Sequence, residues 1–553
     1  MDRINKSVIN FGDFIEKNYK VIWVLIFILA LILNTFKLGE IPTGINCDEA
    51  GMTYDAYCIA NYGTDRFQNK FPVYFTNFGG GQNALYTYLT AILIKIFGSY
   101  NNIIIRIPAL IISMCEVVVA YLLVNKFRSK KESLLFMLLV TISPWHIMKS
   151  RWALESYLFS PFLLFSVYAL CKAVMDANKK ILKYFIAGLL FGITLYTYAI
   201  SYIVVPIFLL GMLLYLIKLK KVKAIEAMTL AFPFIILAIP LILVQLVQRD
   251  IIKPIYSFIT IQKLFFYRAG ELNIHNIVIN LSTVRYVFLC DYLNYNSLKE
   301  VGTLYYIGTF GMFLGLILEI IDINGKTEHK DKKLRKKQNK DLNSNTDLNL
   351  DLNSNKDLAI DLNLDLDLDL DIIMLINFIS NFVVMLLTVV NANKGNGIFI
   401  SATYFVLVAF RNIYKKRKEL FIIMLIIYLI SFVSFLQLYF VKHKYDFKPF
   451  WDNGAVKAFK EIGDTNKKIY GDKILYIYDI YENPITPEEF NRKLLFENKE
   501  VVGFNNYKEI TIDVNNVDEN AIYLTYNKRK ADALVEKGFK YEKFDYCYLL
   551  SKN

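Results

Sequence analysis

A chain of 553 residues that is 55% hydrophobic, with 42 Phe and 38 Tyr, is too apolar for an ordinary soluble protein and has the composition of an integral membrane protein. Its formal net charge of +13 does not describe a nucleic-acid surface, because the Lys and Arg gather in short runs between apolar segments, as they do where membrane proteins mark their cytoplasmic side. Six scattered Cys, without a CxxC or a Cys/His spacing suited to zinc, indicate neither a disulfide framework nor a structural metal.

Residues 1–20 are polar, with Arg3, Lys6, Lys17 and Lys20, and residues 21–38 form an apolar run near the length that crosses a bilayer. No small-residue cleavage site follows it, so it reads as an uncleaved anchor with the N-terminus in the cytoplasm. Residues 39–102 form the first outward loop, ending in a helix-like stretch at 83–97 that suits the membrane interface. Further spans read at 103–124, 134–147, 154–174, 181–198, 202–217, 225–247, 304–321, 372–390, 397–410 and 420–441, eleven in all.

Threading these alternately puts five basic clusters inside: Lys126 to Lys131, Lys179 to Lys183, Lys218 to Lys223, the run 326–340, and Arg411 to Lys418. One missed or added span would invert every later loop, so their agreement supports the count. Residues 322–371 combine a basic run with a degenerate Asp/Leu repeat and read as a disordered cytoplasmic insert, without the Gly and terminal Glu of a calcium loop. After 441 the hydropathy falls. Residues 442–553 read as a small extracytoplasmic α/β domain, with helical spacing at 453–462 and 531–537 and strand alternation at 473–478, 521–526 and 540–550.

Three stretches hold the candidate chemistry. The first outward loop carries Asp48-Glu49, then Ala56-Tyr57, Gly63-Thr64-Asp65, Phe71-Pro72-Val73-Tyr74-Phe75 and Gly81-Gln82. An acidic pair in a polar loop is also a helix N-cap signal, with Glu49 set to cap a helix from Ala50. Cys47 and Cys58 share this loop, as free thiols or as a pair. Gly79, Gly80 and Gly81 lack the Lys-Ser/Thr of a phosphate loop and read as a hinge.

The second stretch, 142–161, holds His146, Lys149, Arg151 and Glu155. Arg151 and Glu155 are four apart, so one helix would bring them to one face, as a functional pair or as a structural ion pair. A lone His there is commonly a hydrogen-bonded structural residue. The third stretch is the turn 391–397, with Asn391, Asn393, Lys394 and Asn396, which is either a plain polar turn or a phosphate contact. Arg106, at the opening of the second span, has the alternative of snorkelling to lipid headgroups.

In order and spacing, these motifs resemble the protein O-mannosyltransferase and aminoarabinose-transferase type of GT-C glycosyltransferase, over about residues 20–440. The resemblance implies a GT-C transmembrane catalytic domain at 1–441 that moves a sugar from a polyprenyl-phosphate donor on the outer leaflet to a hydroxyl acceptor, with inversion. The acceptor is a glycan, a lipid or a protein; membrane lipids are the remaining partners, and nucleic acid is not one. The resemblance gives Asp48 the role of general base. Glu49 then orients Asp48, binds a metal or caps the helix, and Glu155 orients a base or a substrate hydroxyl. Arg151 meets the donor phosphate or anchors the loop of Asp48, with His146, Lys149, Arg106 and Gln82 as further binding residues. Lys394 stands where relatives have Arg, and Gly397 departs from their usual apolar residue. Arg and Lys supply the charge that a departing phosphate needs, and a divalent metal stays an open alternative. The rival readings are a lipid-linked-sugar transporter or flippase and a noncatalytic envelope-assembly protein; against the first, the chain has no inverted repeat.

The threading is tested by single Cys residues on a Cys-free background. Labels at positions 48 and 276 and at the C-terminus are expected from outside, and labels at 176 and 345 from inside. External labelling at 345 breaks the eleven-span order.

Overall fold

The computed structural model describes residues 13–78, 80–264, 273–291, 296–323, 325, 368–442, 451–497 and 500–552. The membrane part consists of α1 (Tyr19–Thr35), α2 (Cys47–Tyr62), α3 (Ala84–Phe97), α4 (Asn102–Asn125), α5 (Lys130–Thr141), α6 (Pro144–Lys149), α7 (Glu155–Met175) and α8 (Lys180–Thr194). It continues with α9 (Ser201–Lys218), α10 (Ala224–Gln248), α11 (Asn276–Leu289), α12 (Tyr306–Ile323), α13 (Leu370–Leu387), α14 (Phe399–Lys416) and α15 (Lys418–Gln437). Each apolar run read as a span is helical, the state that satisfies every backbone group within the segment. The described helices form a polytopic helical membrane protein.

Among the described residues, eight helices are long and apolar enough to cross a membrane: α4, α7, α9, α10, α12, α13, α14 counted from Asn396, and α15 counted to Lys442. The other three expected spans are shorter. α1 has 17 residues and α8 has 15, and the run 134–147 is divided between α5 and α6. Pro144 makes that break. It lacks an N–H to continue α5 and occupies the first turn of α6 instead.

The first loop, 39–102, is more helical than its polarity implies. Asn46 caps α2 by accepting the Asp48 N–H at 2.9 Å, and the Glu49 carboxylate returns the bond by accepting the Asn46 N–H at 3.0 Å. Gly63 ends α2 with φ +72°. Cys47 and Cys58 are therefore 11 residues apart on one helix and do not pair; both are free thiols. A hairpin, β1 (Tyr74–Asn77) and β2 (Gly80–Asn83), follows α2 and leads into α3. The hinge expected at Gly79 lies outside the described residues, while Gly80 and Gly81 are strand. The loop 248–302 contains β3 (Ile255–Tyr256), β4 (Thr260–Ile261) and α11; the Thr260 carbonyl accepts the Val73 N–H at 3.0 Å, joining it to the first loop.

The two ends of the bundle differ. At the end that the threading assigns to the cytoplasm, Lys126 and Lys183 meet Asp176 at 3.0 and 3.2 Å, Arg128 meets Asp369 at 3.2 Å, and Arg411 meets Glu319 at 3.3 Å. Asp371 is buried among Arg128, Arg411 and Tyr404. The expected insert 322–371 therefore ends earlier, since Asp369 caps α13 through the Asp371 N–H; residues 326–367 lie outside the described residues. Exposed side chains such as Met228, Phe232, Ile235, Ile239 and Ile242 give α10 an apolar outer face suited to lipid. On its inner side α10 meets α8 at Gly188 and Gly192. A Cβ on Gly188 would lie 2.0 Å from the Leu230 carbonyl oxygen, and one on Gly192 would lie 2.7 Å from Leu237 Cδ1.

The C-terminal domain has α16 (Gly454–Ile462), α17 (Ile477–Glu482), α18 (Pro487–Arg492) and α19 (Lys528–Glu536). Its strands are β5 (Ile469–Asp472), β6 (Leu494–Glu497), β7 (Glu500–Phe504), β8 (Tyr507–Ile510), β9 (Ile522–Thr525), β10 (Lys540–Phe544) and β11 (Cys547–Ser551). They form one sheet in the order β10-β11-β9-β5-β8-β7-β6, with β5 parallel to β8 and β9. The strand expected at 473–478 is displaced to β5, because Lys473 adopts φ +60° and ends it. The single strand expected at 540–550 is a hairpin, turned at Asp545 with φ +54°.

This domain sits on the first loop. The Asp452 N–H donates to the Ile45 carbonyl at 2.8 Å, Tyr54 to the Ile485 carbonyl at 3.1 Å, Tyr100 to the Tyr481 carbonyl at 2.7 Å, and Asn491 to the Arg66 carbonyl at 2.7 Å. Loop and domain thus share one end of the bundle, opposite the ion pairs.

Gly188→Ala tests the helix contact. The added methyl meets a backbone carbonyl, which has no rotamer to yield, so a loss of about 1–3 kcal/mol is expected, read as a lower unfolding midpoint of the purified protein. An unchanged midpoint would show that α8 and α10 do not pack so closely.

Candidate active site

A cavity of about 570 Å³ opens at the end of the bundle that bears the C-terminal domain. Asp48, Gln82, Glu155, Arg249 and Lys394 line it, together with Asn77, Asn393, Tyr74, Tyr198 and Tyr202. Asp48 reaches it from the first turn of α2, where the helix N-terminus favours negative charge. The next residue on a helix is turned by about 100°, and Glu49 accordingly points the other way. Its fully buried carboxylate accepts the N–H groups of Asn46 and, at 2.7 Å, of Ala153, and it lies 3.4 Å from Arg106 Nε. Glu49 is thus engaged in capping α2 and clamping it to the bundle, and it does not line the cavity.

Arg106 does not snorkel to lipid. It is buried and donates to the carbonyls of Leu38 at 2.8 Å, Pro42 at 3.2 Å and Gly44 at 2.9 Å. Arg151 is also buried, donating to the carbonyls of Leu33 at 2.9 Å, Asn34 at 3.1 Å, Phe36 at 2.5 Å and Ile41 at 3.2 Å. It satisfies carbonyls left open at the end of α1 and one in the segment that leads to α2. Arg151 and Glu155 do not share a helix face, because α6 ends at Lys149 and α7 begins at Glu155.

Glu155 opens α7 and faces the cavity, and its carboxylate accepts the Asn83 N–H. Asn83 is held in turn by its own side chain, which donates to the Leu195 carbonyl at 2.8 Å and accepts from the Tyr202 hydroxyl at 3.1 Å. Lys149 is buried beneath the site over the Trp152 ring, at 3.9 Å, and donates to Asn296 at 2.5 Å and to Asn393. The Asn396 side chain accepts from the Trp145 indole at 2.6 Å and donates to the Ser156 carbonyl at 2.7 Å, and Asn391 accepts the Lys394 N–H at 2.9 Å. The asparagines shape the turn, and Lys394 is its cation at the cavity. His146 lies deeper, its Nε2 3.5 Å from Glu116 Oε2, and is not at the cavity.

The Gly63-Thr64-Asp65 motif has a structural role. Asp65 accepts the N–H groups of Phe67 at 2.9 Å and Asn69 at 2.8 Å, folding the turn that presents Arg66. Burial, with the charge of Asp55, pushes the Asp65 carboxyl up to about 7 against those bonds.

Arg249, Asn77, Tyr198 and Tyr202 did not stand out in the sequence, whereas Tyr74 belongs to the Phe71–Phe75 motif. Arg249 carried one usable signal: a lone arginine at the end of a span that the threading assigns to the outside, against the usual charge bias. Among the described residues, no group of three or more His, Cys, Asp or Glu is placed to hold a metal ion.

Residues 83–244 match the family model described as dolichyl-phosphate-mannose-protein mannosyltransferase. The matched span begins at Asn83, which holds Glu155, and includes Arg106 and Arg151, but not Asp48 or Lys394. No curated protein matches the chain. Among solved structures, it is similar to the Archaeoglobus fulgidus oligosaccharyltransferase in the apo form, with 12% identity and a TM-score of 0.47 over 84% of this chain and 63% of that one. The chain thus spans less than two thirds of that enzyme's length. It is also similar to ArnT from Cupriavidus metallidurans bound to undecaprenyl phosphate, with 9% identity and a TM-score of 0.45 over 97% of this chain and 98% of that one. Against the S. cerevisiae protein O-mannosyltransferase Pmt1-Pmt2 complex bound to the sugar donor, identity is 14% and the TM-score 0.31, over 42% of this chain and 33% of that one. The likeness to that family is carried by residues 83–244, within a multi-pass helical membrane protein.

Proposed function

We propose that the enzyme transfers a sugar from a polyprenyl-phosphate donor to a hydroxyl acceptor on the extracytoplasmic side of the membrane, with Asp48 as general base. The observation that carries this reading is one cavity lined by two carboxylates, Asp48 and Glu155, and two cations, Arg249 and Lys394. The name of the matched family supports a lipid-phosphate donor.

In this mechanism the acceptor hydroxyl gives its proton to Asp48 as its oxygen bonds to the anomeric carbon. The bond from that carbon to the phosphate oxygen breaks on the opposite face, inverting the centre. The electron pair leaves with the polyprenyl phosphate, whose growing charge Arg249 and Lys394 meet. Glu155, fixed by Asn83, orients a substrate hydroxyl. Arg106, Lys149, Arg151 and Glu49 hold the walls, and His146 has no step. If a divalent metal takes part, Asp48 and Glu155 are the carboxylates available to it at the cavity.

Asp48→Asn keeps the shape and removes the proton-accepting charge. With purified full chain and a labelled polyprenyl-phosphate sugar, turnover is expected to fall by roughly 10²-fold or more with little change in donor binding. Near-normal turnover at saturating donor would remove Asp48 from the mechanism, and lipid movement without glycoside formation would favour a transporter.

Arg249→Ala and Lys394→Ala are expected to act on the other substrate group. Each should weaken donor binding by about tenfold or more, the scale of one charge-assisted hydrogen bond. Equilibrium binding of the lipid phosphate measures this, and unchanged affinity in both variants would rule out the phosphate assignment.

A further inference from the structure

A primary amide has a donor end and an acceptor end, and its neighbours decide which way it turns. Along one wall of the cavity a chain of polar groups fixes two amides in succession. It begins at Asp55, whose carboxylate accepts from Arg66 Nη2 at 2.7 Å, Nε at 2.9 Å and backbone N–H at 3.0 Å. A guanidinium only donates. Asn77, whose Oδ1 lies 3.4 Å from Arg66 Nη2, therefore turns its oxygen to that cation and its nitrogen away.

The Asn77 Nδ2 then donates to Gln82 Oε1 at 2.6 Å and to the Asp48 carbonyl at 3.4 Å. With its acceptor committed to Asn77, Gln82 has Nε2 left over. That nitrogen has no hydrogen-bond partner, although Gln82 is only 3% exposed and lines the same cavity as Asp48 and Glu155. Two features of the backbone hold the pair in place. Asn77 and Gln82 lie diagonally on one face of the β1–β2 hairpin. Gly51 of α2 closes over the start of the chain, where a Cβ would lie 2.2 Å from Asn77 Oδ1 and 2.8 Å from Arg66 Nη2.

A buried amide donor without a partner costs stability in the empty protein, and a bound oxygen at that point removes the cost. We propose that Gln82 Nε2 donates a hydrogen bond to a hydroxyl oxygen of the donor sugar, and that Asn77 is the positioning residue that fixes this polarity. The inference rests on the proposed function and deepens it. Arg249 and Lys394 supply the cations for a phosphate, whereas an uncharged amide donor suits a neutral hydroxyl.

The test uses purified full chain in nanodiscs and the best consumed of undecaprenyl-phosphate mannose, glucose and galactose, with undecaprenyl phosphate bound in parallel as the sugar-free probe. Gln82→Glu keeps the acceptor that Asn77 needs and removes the unpartnered donor, while Gln82→Met removes the donor without adding charge. Asn77→Asp can still accept from Arg66, but it now also requires a donor from Gln82, which must turn its nitrogen inward and show its oxygen to the cavity. All three variants are expected to raise KM for the lipid sugar by about tenfold, with unfolding midpoints near the parent's, and Gln82→Met, which adds no charge beside the phosphate, to leave undecaprenyl phosphate affinity unchanged.

Equal weakening for both lipids in Gln82→Met would mean that Gln82 contacts phosphate, and would overturn the proposal. So would unchanged KM in Gln82→Met. A normal KM in Asn77→Asp, with Gln82→Met impaired, would remove Asn77 from its role and with it the relay proposed here. A parent chain that consumes none of the three lipid sugars would instead overturn the proposed function, and this inference with it.

Discussion

Two buried guanidinium groups hold the segment that leads to Asp48. Over the last turn of α1 and the segment from there to α2, Arg106 and Arg151 collect the carbonyls of Leu33, Asn34, Phe36, Leu38, Ile41, Pro42 and Gly44. In a membrane protein an unpaired buried carbonyl costs on the order of a few kcal/mol, and an unpaired buried cation far more. Each side of the arrangement therefore requires the other. Glu49 completes it beside Arg106, and its bond from Ala153 ties α2 to the chain between α6 and α7.

From this anchoring follows a division of labour between adjacent acids. On a helix start, neighbours face about 100° apart, so once Glu49 is buried in the clamp, Asp48 is turned to the cavity. The hairpin β1–β2 joins the same frame to the second acid. Its Asn77 reaches the Asp48 carbonyl, and the N–H of its last residue, Asn83, holds Glu155. The cavity acids come from α2 and α7, far apart in the chain, and ten residues of strand and turn connect their surroundings.

The ends of the bundle are built with different chemistry. At one end Arg128, Arg411, Glu319, Asp369, Asp371 and Tyr404 neutralise one another, tying α12, α13 and α14 to the junction of α4 and α5. Such buried networks add little net stability against an apolar core, but they leave the charges there committed to partners within the protein. At the other end Arg249 and Lys394 stand at the cavity wall with the two acids. The asymmetry suits a protein whose working surface lies at one end only.

The sequence by itself determined the membrane class, the helical state of its apolar runs and the small α/β unit that follows them. Apolar length and charge bias act locally and are legible one segment at a time. It also singled out Asp48, Glu155, Gln82 and Lys394, all of which line the cavity. Only the tertiary structure decided which ionisable residues face that cavity and which serve the frame. Arg106, Lys149, Arg151, His146 and Glu49 have the same chemistry as cavity residues, but a buried charge takes whatever carbonyl, amide or carboxylate the packing brings to it. Those partners come from distant segments: Arg151 from the end of α1, Lys149 from Asn296 and Asn393, Glu49 from Ala153. For the same reason Asn77 was not legible, and Arg249 only as a lone charge at the end of a span, since their place at the site follows from how the hairpin and α10 pack.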